Sequence, residues 1–418
     1  MVAYLLIDLQ MMAASWLIYG LSFYLKYPHF DCFWAATGEY IPAGSDDYNS
    51  FCAPSHFCRN DDVIARQDPS SSVSLANWIQ DFDLLCLSEF EISFFSMAWF
   101  IGQLLFSPII PKLQDRFGRK PVFNACSFVN FLTLLFMLFL PGRRNPSQAL
   151  LYVLIFVNGM STVGRVITGY TYFTEFYPEK YQSVVGTTWS VMEGLVVILM
   201  VIYFVYISKS WYWIILYAAS TNLLFQAIAI WLLPESPKWL YEQKRYVECV
   251  RALKRMASFN GEKSLGKIHA LLSASAEKAE EQDLGVNAAS TRSPGSAAAQ
   301  AEVKEQSPFQ IVLKDGQMLR NLIGMVMLWT SASFGYYLIA SQLKYIKGDF
   351  YVNNITSQVT EIFANAVSGA VFKFLGLNIT ITISYCLSLA GMLGLIFSST
   401  TSQAWLSLFI LGAKYGIC

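Results

Sequence analysis

Four ionisable side chains stand inside long apolar runs of this chain: Arg165, Glu193, Glu361 and Lys414. A charge at mid-bilayer costs a few kcal/mol on insertion scales, so each of them needs a partner or a task. The chemistry open to them is charge recognition, in which a carboxylate attracts a cation, a guanidinium or ammonium attracts an anion, and opposite charges on neighbouring helices neutralise each other. Arg165 and Glu193 fall on successive runs and admit two readings, a structural ion pair or a pair that meets a substrate. Glu361 reads either as a lone buried carboxylate suited to a cation or as a boundary residue reaching the outer surface behind Asn353, Asn354 and Gln358. Tyr336 and Tyr337 offer ring faces and hydroxyls to a hydrophobic organic cation, with Trp329 a weaker candidate. In a chain of 23 tyrosines and 31 phenylalanines, the default place for such rings is the core or the lipid face.

Other chemistry is poorly supplied. The sequence holds no Gly-x-x-x-x-Gly-Lys-Ser/Thr loop to bind a nucleotide triphosphate, and its three histidines show no metal-ligand spacing. No nucleophile elbow supports an acyl-transfer enzyme, so neither catalysis nor a cofactor is expected. Lys plus Arg and Asp plus Glu are equal at 29 each, which argues against a nucleic-acid binder.

The elements that must position these charges follow from composition. The chain is 55% hydrophobic and only 14% charged, against about 25% charged in an ordinary soluble domain. A membrane protein fits. Runs of about 20 apolar residues, enough to cross roughly 30 Å of hydrocarbon, occur at Tyr4–Leu25, Ile92–Ile110, Pro121–Leu140, Leu150–Phe173, Val184–Ser208, Trp211–Leu233, Asn321–Ile346, Ile355–Leu375 and Leu377–Phe397. A tenth begins at Ala404. No basic residue precedes the first run, so it reads as a span, with a cleaved signal peptide as the alternative.

Loop charges orient the spans. Residues 27–86 carry nine acids against Arg59 and Arg66, whereas the short connection 112–120 carries Lys112, Arg116, Arg119 and Lys120 against one acid, Asp115. The basic side is expected to face the cytosol together with the N-terminus, most naturally at a plasma membrane, which leaves the acidic loop outside. That loop holds Cys32, Cys52, Cys58 and Cys86, an even set that reads as two disulfides in an oxidising compartment, with three pairings open. Residues 234–317 form a second long connection. Its start is basic, with six bases against three acids over 234–256, and 273–307 is rich in Ala, Ser, Glu and Gln like a flexible linker.

The stretch Asp115-Arg116-Phe117-Gly118-Arg119-Lys120-Pro121 resembles the signature turn of the major facilitator superfamily. Leu233-Pro234-Glu235-Ser236-Pro237-Lys238-Trp239-Leu240 resembles that superfamily's Pro-Glu-Ser-Pro-Arg-Trp-Leu motif. Several further stretches resemble the organic ion transporter family, solute carrier family 22. These are Asn77-Trp78, Phe82-Asp83-Leu84-Leu85-Cys86, Gly169-Tyr170, Thr174-Glu175-Phe176, Ala252 to Ala257 with Asn260-Gly261, Ser333 to Tyr337, Gly348 to Asn353 and Lys414-Tyr415-Gly416. The family repeats its Asp-Arg-x-Gly-Arg turn in the second half, but here that place reads Lys373-Phe374-Leu375-Gly376-Leu377-Asn378.

The resemblance implies an all-α polytopic fold of two pseudo-symmetric six-helix bundles, here with about ten of twelve helices and the second bundle apparently truncated. The expected organisation is a first bundle over 1–233 with the cysteine loop at 27–87 outside, a cytosolic linker with amphipathic helices over 234–317, and a partial second bundle over 318–418. The implied function is transport of a small organic ion, leaning to a cation, by alternating access in a lipid bilayer, with a proton or counter-ion partner left open. The resemblance places Tyr336, Tyr337 and Glu361 at the substrate, and the buried charges of Arg165 and Glu193 make them the further candidates there. It places Asp115, Arg116, Gly118, Arg119, Glu175 and Glu235 at an inner gate. Competing readings are a hexose carrier of the sugar-porter branch and a membrane scaffold or sensor that kept the fold without transport.

Overall fold

The computed structural model describes residues 2–43, 45–68, 70–71, 73–140, 148–259, 314–346, 348–397 and 402–416. Most of the expected linker, including 273–307, and the Asn260-Gly261 match lie outside the described residues. Among the described residues, six helices are long and apolar enough to cross a membrane, or seven if one pair bent by 48° counts as a single span. The chain divides into two compact units, one of residues 1–233 with 338–418 and one of 234–337.

In the first unit, α1 (Val2–Tyr24) leads into the cysteine loop. That loop is not all coil. It folds as a small antiparallel sheet of β1 (Phe30–Trp34), β2 (Tyr40–Ile41) and β3 (Val63–Gln67) in the order β2-β1-β3, with short helices α2 (Asp46–Phe51), α3 (Pro54–Phe57) and α4 (Trp78–Asp81) around it. Cys32 of β1 joins Cys52, and Cys58 joins Cys86, over a core of Phe30, Ile41 and Val63. The β-branched and aromatic residues of these strands suit a half-buried pleat, which explains strands in a chain otherwise read as helical.

Helix α5 (Glu89–Phe106) opens with a capping box in which the Ser88 hydroxyl accepts from Glu91 N at 3.3 Å and the Glu91 carboxylate accepts from Ser88 N at 2.9 Å. The second apolar run was expected to continue to Ile110, but the helix stops at Phe106 and restarts as α6 (Ile110–Phe117). Pro108 and Pro111 fall at the break and each withholds a backbone donor. The unit continues with α7 (Arg119–Phe139), α8 (Gln148–Val163), a π-helical turn at Gly164–Thr168, α9 (Gly169–Glu175), α10 (Glu179–Ile202), a second π-helical turn at Tyr203–Ile207 and α11 (Trp211–Leu232).

Close backbone approach and buried amides hold these helices, as expected where lipid supplies no hydrophobic drive between them. A Cβ on Gly102 of α5 would strike the Phe156 carbonyl of α8, and one on Gly159 of α8 would strike the Trp99 carbonyl of α5. Beside that contact, Trp99 Nε1 donates to Asn158 at 3.2 Å and Asn158 donates to Thr133 at 2.8 Å. Across the bundle, Gln10 donates to Asn222 at 2.6 Å and Asn222 donates to Asn130 at 2.9 Å, tying α1, α11 and α7.

The second unit holds α12 (Pro237–Glu242), α13 (Tyr246–Phe259) and most of α14 (Gly316–Gln342). Helices α12 and α13 pack through Trp239, Leu240, Cys249 and Ala252, and the guanidinium of Arg245 lies 5.5 Å over the Trp239 ring. The first unit resumes with α15 (Phe350–Leu375), α16 (Leu377–Phe397) and α17 (Gln403–Tyr415).

At the end carrying the cysteine loop, α15 closes against the first helices. Phe23 stacks on Phe204 at 5.2 Å and meets Phe350 edge-on at 5.1 Å, while Lys26 Nζ lies 5.0 Å over the Phe350 ring and donates to the Lys344 carbonyl at 2.5 Å. Buried Asn77 donates to the carbonyls of Phe23 and Lys26 at 3.0 and 2.6 Å.

One outcome follows from this packing. Gly159→Leu forces α5 and α8 apart and lowers stability by about 3 kcal/mol, the upper end of the usual overpacking cost, read as an earlier unfolding transition in detergent.

Candidate functional site

The buried charges gather where α10 meets α15. Arg165 sits in the π-helical turn that joins α8 to α9 and is 1% exposed. The extra residue of a π-turn shifts the helix register locally, a device common at functional positions. Glu193 of α10 and Tyr19 of α1 lie within electrostatic reach of Arg165, and the Tyr19 hydroxyl donates to the Glu193 carboxylate at 3.2 Å. Three helices thus contribute to one charged cluster.

Next to Glu193, Gly194 lets α15 come close. A Cβ there would stand 2.9 Å from Ile362 and 3.8 Å from the side-chain oxygen of Gln358. Glu361, beside Ile362 and near the middle of the 26-residue α15, is 5% exposed. Its carboxylate lies 3.1 Å from the ammonium of Lys414 on α17, and that lysine is 0% exposed. The expectation of a lone carboxylate is therefore corrected, because a buried acid in a low-dielectric interior draws in the nearest base. A snorkelling Glu361 is excluded by the same burial. Asn353, Ser357, Gln358 and Glu361 recur at three- and four-residue spacing and make a buried polar stripe along α15.

Tyr336 and Tyr337 stand on α14 in the second unit, half-buried, with ring centroids 5.0 Å apart and edge-to-face at 81°. Trp329 on the same helix is 76% exposed, as a lipid-facing ring would be.

The basic turn brings Asp115 and Arg119 together and joins them to Glu175. Gly118 adopts φ of +102°, a left-handed conformation that side chains rarely enter, and so lets the chain reverse between α6 and α7. Arg119, 7% exposed, then reaches Asp115 at 3.1 Å, Glu175 at 3.1 Å and the Gln114 carbonyl at 3.1 Å. Lys120 caps the end of α11, donating to the carbonyls of Ile230 and Leu233 at 2.8 and 2.6 Å. Arg116 turns outward with its guanidinium 5.3 Å over the Phe117 ring. Glu235 belongs to the second unit, where it accepts from its neighbour Ser236 N at 2.8 Å and the Ser236 hydroxyl caps α12.

Sequence reasoning missed Tyr19 and the partner of Glu361, and read Gln358 only as a polar residue of the membrane boundary. Of the two missed, only the partner left a signal, since Lys414 is the sole base in its apolar run.

Comparison with known proteins agrees with this architecture. The model of the Major Facilitator Superfamily matches residues 56–418. Human solute carrier family 22 member 2 is 27% identical over 222 residues, which cover 53% of this chain and 37% of that protein. Rat organic cation/carnitine transporter 2 is 24% identical over 358 residues, covering 83% of this chain and 58% of its own length. The matched stretches thus span roughly half of these relatives. Among solved structures, the proton:xylose symporter XylE bound to 6-bromo-6-deoxy-D-glucose superposes with a TM-score of 0.60 at 13% identity, covering 99% of this chain and 78% of its own. A partially occluded inward-open form of XylE from E. coli gives 0.58 at 12% identity, with 99% and 83% covered. At such identity the likeness speaks for the fold alone. The match over most of its length makes this chain a member of the major facilitator superfamily.

Proposed function

We propose that this protein carries a small organic ion, with a preference for cations, across a membrane by alternating access. The observation that carries the reading is a carboxylate, Glu361, buried mid-helix where α10 and α15 meet. A charge kept at that depth is costly and is retained where ions are handled. The names of the relatives, organic cation and carnitine transporters, point the same way. Arg165 with Glu193 would set the charge balance beside Glu361 within the same unit, and Tyr336 and Tyr337, in the second unit, remain candidates for cation-π contact with the substrate. The stacked phenylalanines beside the cysteine loop favour a state shut at that end, which in the expected orientation is the outer one. Flux coupled to protons, simple facilitated diffusion and exchange all fit a carrier of this kind, and none of them makes it an enzyme.

The Arg119 cluster serves as the inner gate element. Its two acids differ in depth, since the Glu175 side chain is 14% exposed and that of Asp115 is 66% exposed. Removing the deeper acid leaves a buried guanidinium less well neutralised, so Glu175→Gln costs about 3 kcal/mol whereas Asp115→Asn costs under about 1 kcal/mol. Unfolding midpoints of the two variants check this order, and equal effects would contradict it.

The transport reading is tested with the full chain in proteoliposomes. Labelled tetraethylammonium should enter, a labelled hexose should not, and Glu361→Gln should cut cation uptake by at least tenfold. Uptake of hexose alone would favour the sugar-porter reading, uptake of neither would favour a scaffold, and a Glu361→Gln protein with unchanged uptake would remove Glu361 from the path.

A further inference from the structure

The pair formed by Glu361 and Lys414 sits at the deep end of a ladder between α15 and α17. Nearer the cysteine-loop end, Gln403 donates to Asn353 at 2.8 Å and accepts from Asp349 N at 2.8 Å, and Thr356 meets Ser407 at 3.5 Å. Those neutral rungs fix α17 against α15. The backbone around Lys414 is held from the other side too, because a Cβ on Gly391 of α16 would strike Ala413 N. The lysine side chain that reaches Glu361 from α17 is a compact charge on a four-carbon stem with three rotatable donors.

On its α10 side, Glu361 is flanked by an unmet acceptor. The side-chain oxygen of Gln358 is buried at 3% exposure and faces Gly194, and among the described residues neither it nor the hydroxyl of Ser357, at 0% exposure, has a hydrogen-bond partner. Buried polar atoms left in this condition mark a place where a ligand or water belongs. A cation bound at this place would meet the Gln358 oxygen and the Glu361 carboxylate, and would compete with Lys414 of α17 for that carboxylate.

We propose that Lys414 is a built-in counter-ion, exchanged for the substrate cation at Glu361 during loading and returned to it on release, so that the empty carrier is neutral at this depth and can reorient unaccompanied. The inference rests on the organic-cation reading above and adds the mode of transport to it. A carrier with a bare buried carboxylate would be trapped until another cation bound, and could only exchange. With the lysine in place, net one-way transport is possible.

The test separates net flux from exchange in proteoliposomes of the full chain, using labelled tetraethylammonium. Lys414→Met should reduce net uptake into empty vesicles at least tenfold and leave exchange, measured in vesicles preloaded with unlabelled tetraethylammonium, within about twofold of the parent. Equal loss of both in a protein that still elutes as a folded monodisperse species would reduce Lys414 to a packing role and overturn the inference, as would retention of both. Lys414→Arg guards against misfolding, since it keeps the charge and grips the carboxylate with a bidentate fork. It should raise the apparent KM several-fold at an unchanged ratio of net uptake to exchange, and an unchanged KM would also overturn the inference. A parent protein with no cation flux in either assay would instead overturn the transport reading itself.

Discussion

Charge inside hydrocarbon is the constraint on which the rest of this structure depends. A membrane interior cannot solvate an ion, so each deep charge must find an opposite one, and the helices must be arranged to supply it. Glu361 is met by Lys414, Arg165 is faced by Glu193 and Tyr19, and Arg119 is gripped by Asp115 and Glu175 at the membrane edge. These three groupings set which faces of α1, α10, α15 and α17 turn inward. The polar stripe of α15 follows from the same rule, because a helix that must present Glu361 to α17 also turns Asn353 and Gln358 away from lipid.

Neutral contacts then fix the distances at which those charges act. The glycine contact of α5 with α8 and the amide chain from Gln10 through Asn222 to Asn130 bring backbones close and cross-link helices that lipid would not press together. Such links are individually weak, near 0.6 kcal/mol on average, and their value is in geometry rather than in total energy. A carrier of the proposed kind would profit from this balance. Weak links and aromatic packing at the cysteine-loop end can part and re-form, whereas a strongly bonded interface would hold one state.

Much of the architecture was legible in the sequence, and the reasons differ by element. Apolar runs are long and the rule for crossing a bilayer is strict, so the helices were readable, and the Asp115 to Pro121 turn carried the fold because its glycine and bases have a specific mechanical use. Helix ends were less legible where prolines intervene, as at Pro108. The cystine pairing was not legible at all, since spacing allowed three arrangements and the choice is made by a sheet that places Cys32 on its central strand. The partner of Glu361 was hidden for a similar reason. Sequence shows that Glu361 and Lys414 are each unusual, but only the packing of α17 on α15 makes them one pair. Gln358 was legible only as a polar residue of a membrane boundary, because a glutamine near a helix start shows nothing more until its neighbours are known.

The account holds that the buried carboxylate of α15 is kept neutral by a partner that substrate replaces. A high-resolution cryo-electron microscopy structure of the chain with tetraethylammonium bound tests this most directly. It should place the cation against Glu361 and the Gln358 oxygen, with the Lys414 ammonium moved out of contact with the carboxylate. A bound cation elsewhere, with the Glu361–Lys414 pair still at 3.1 Å, would contradict the account.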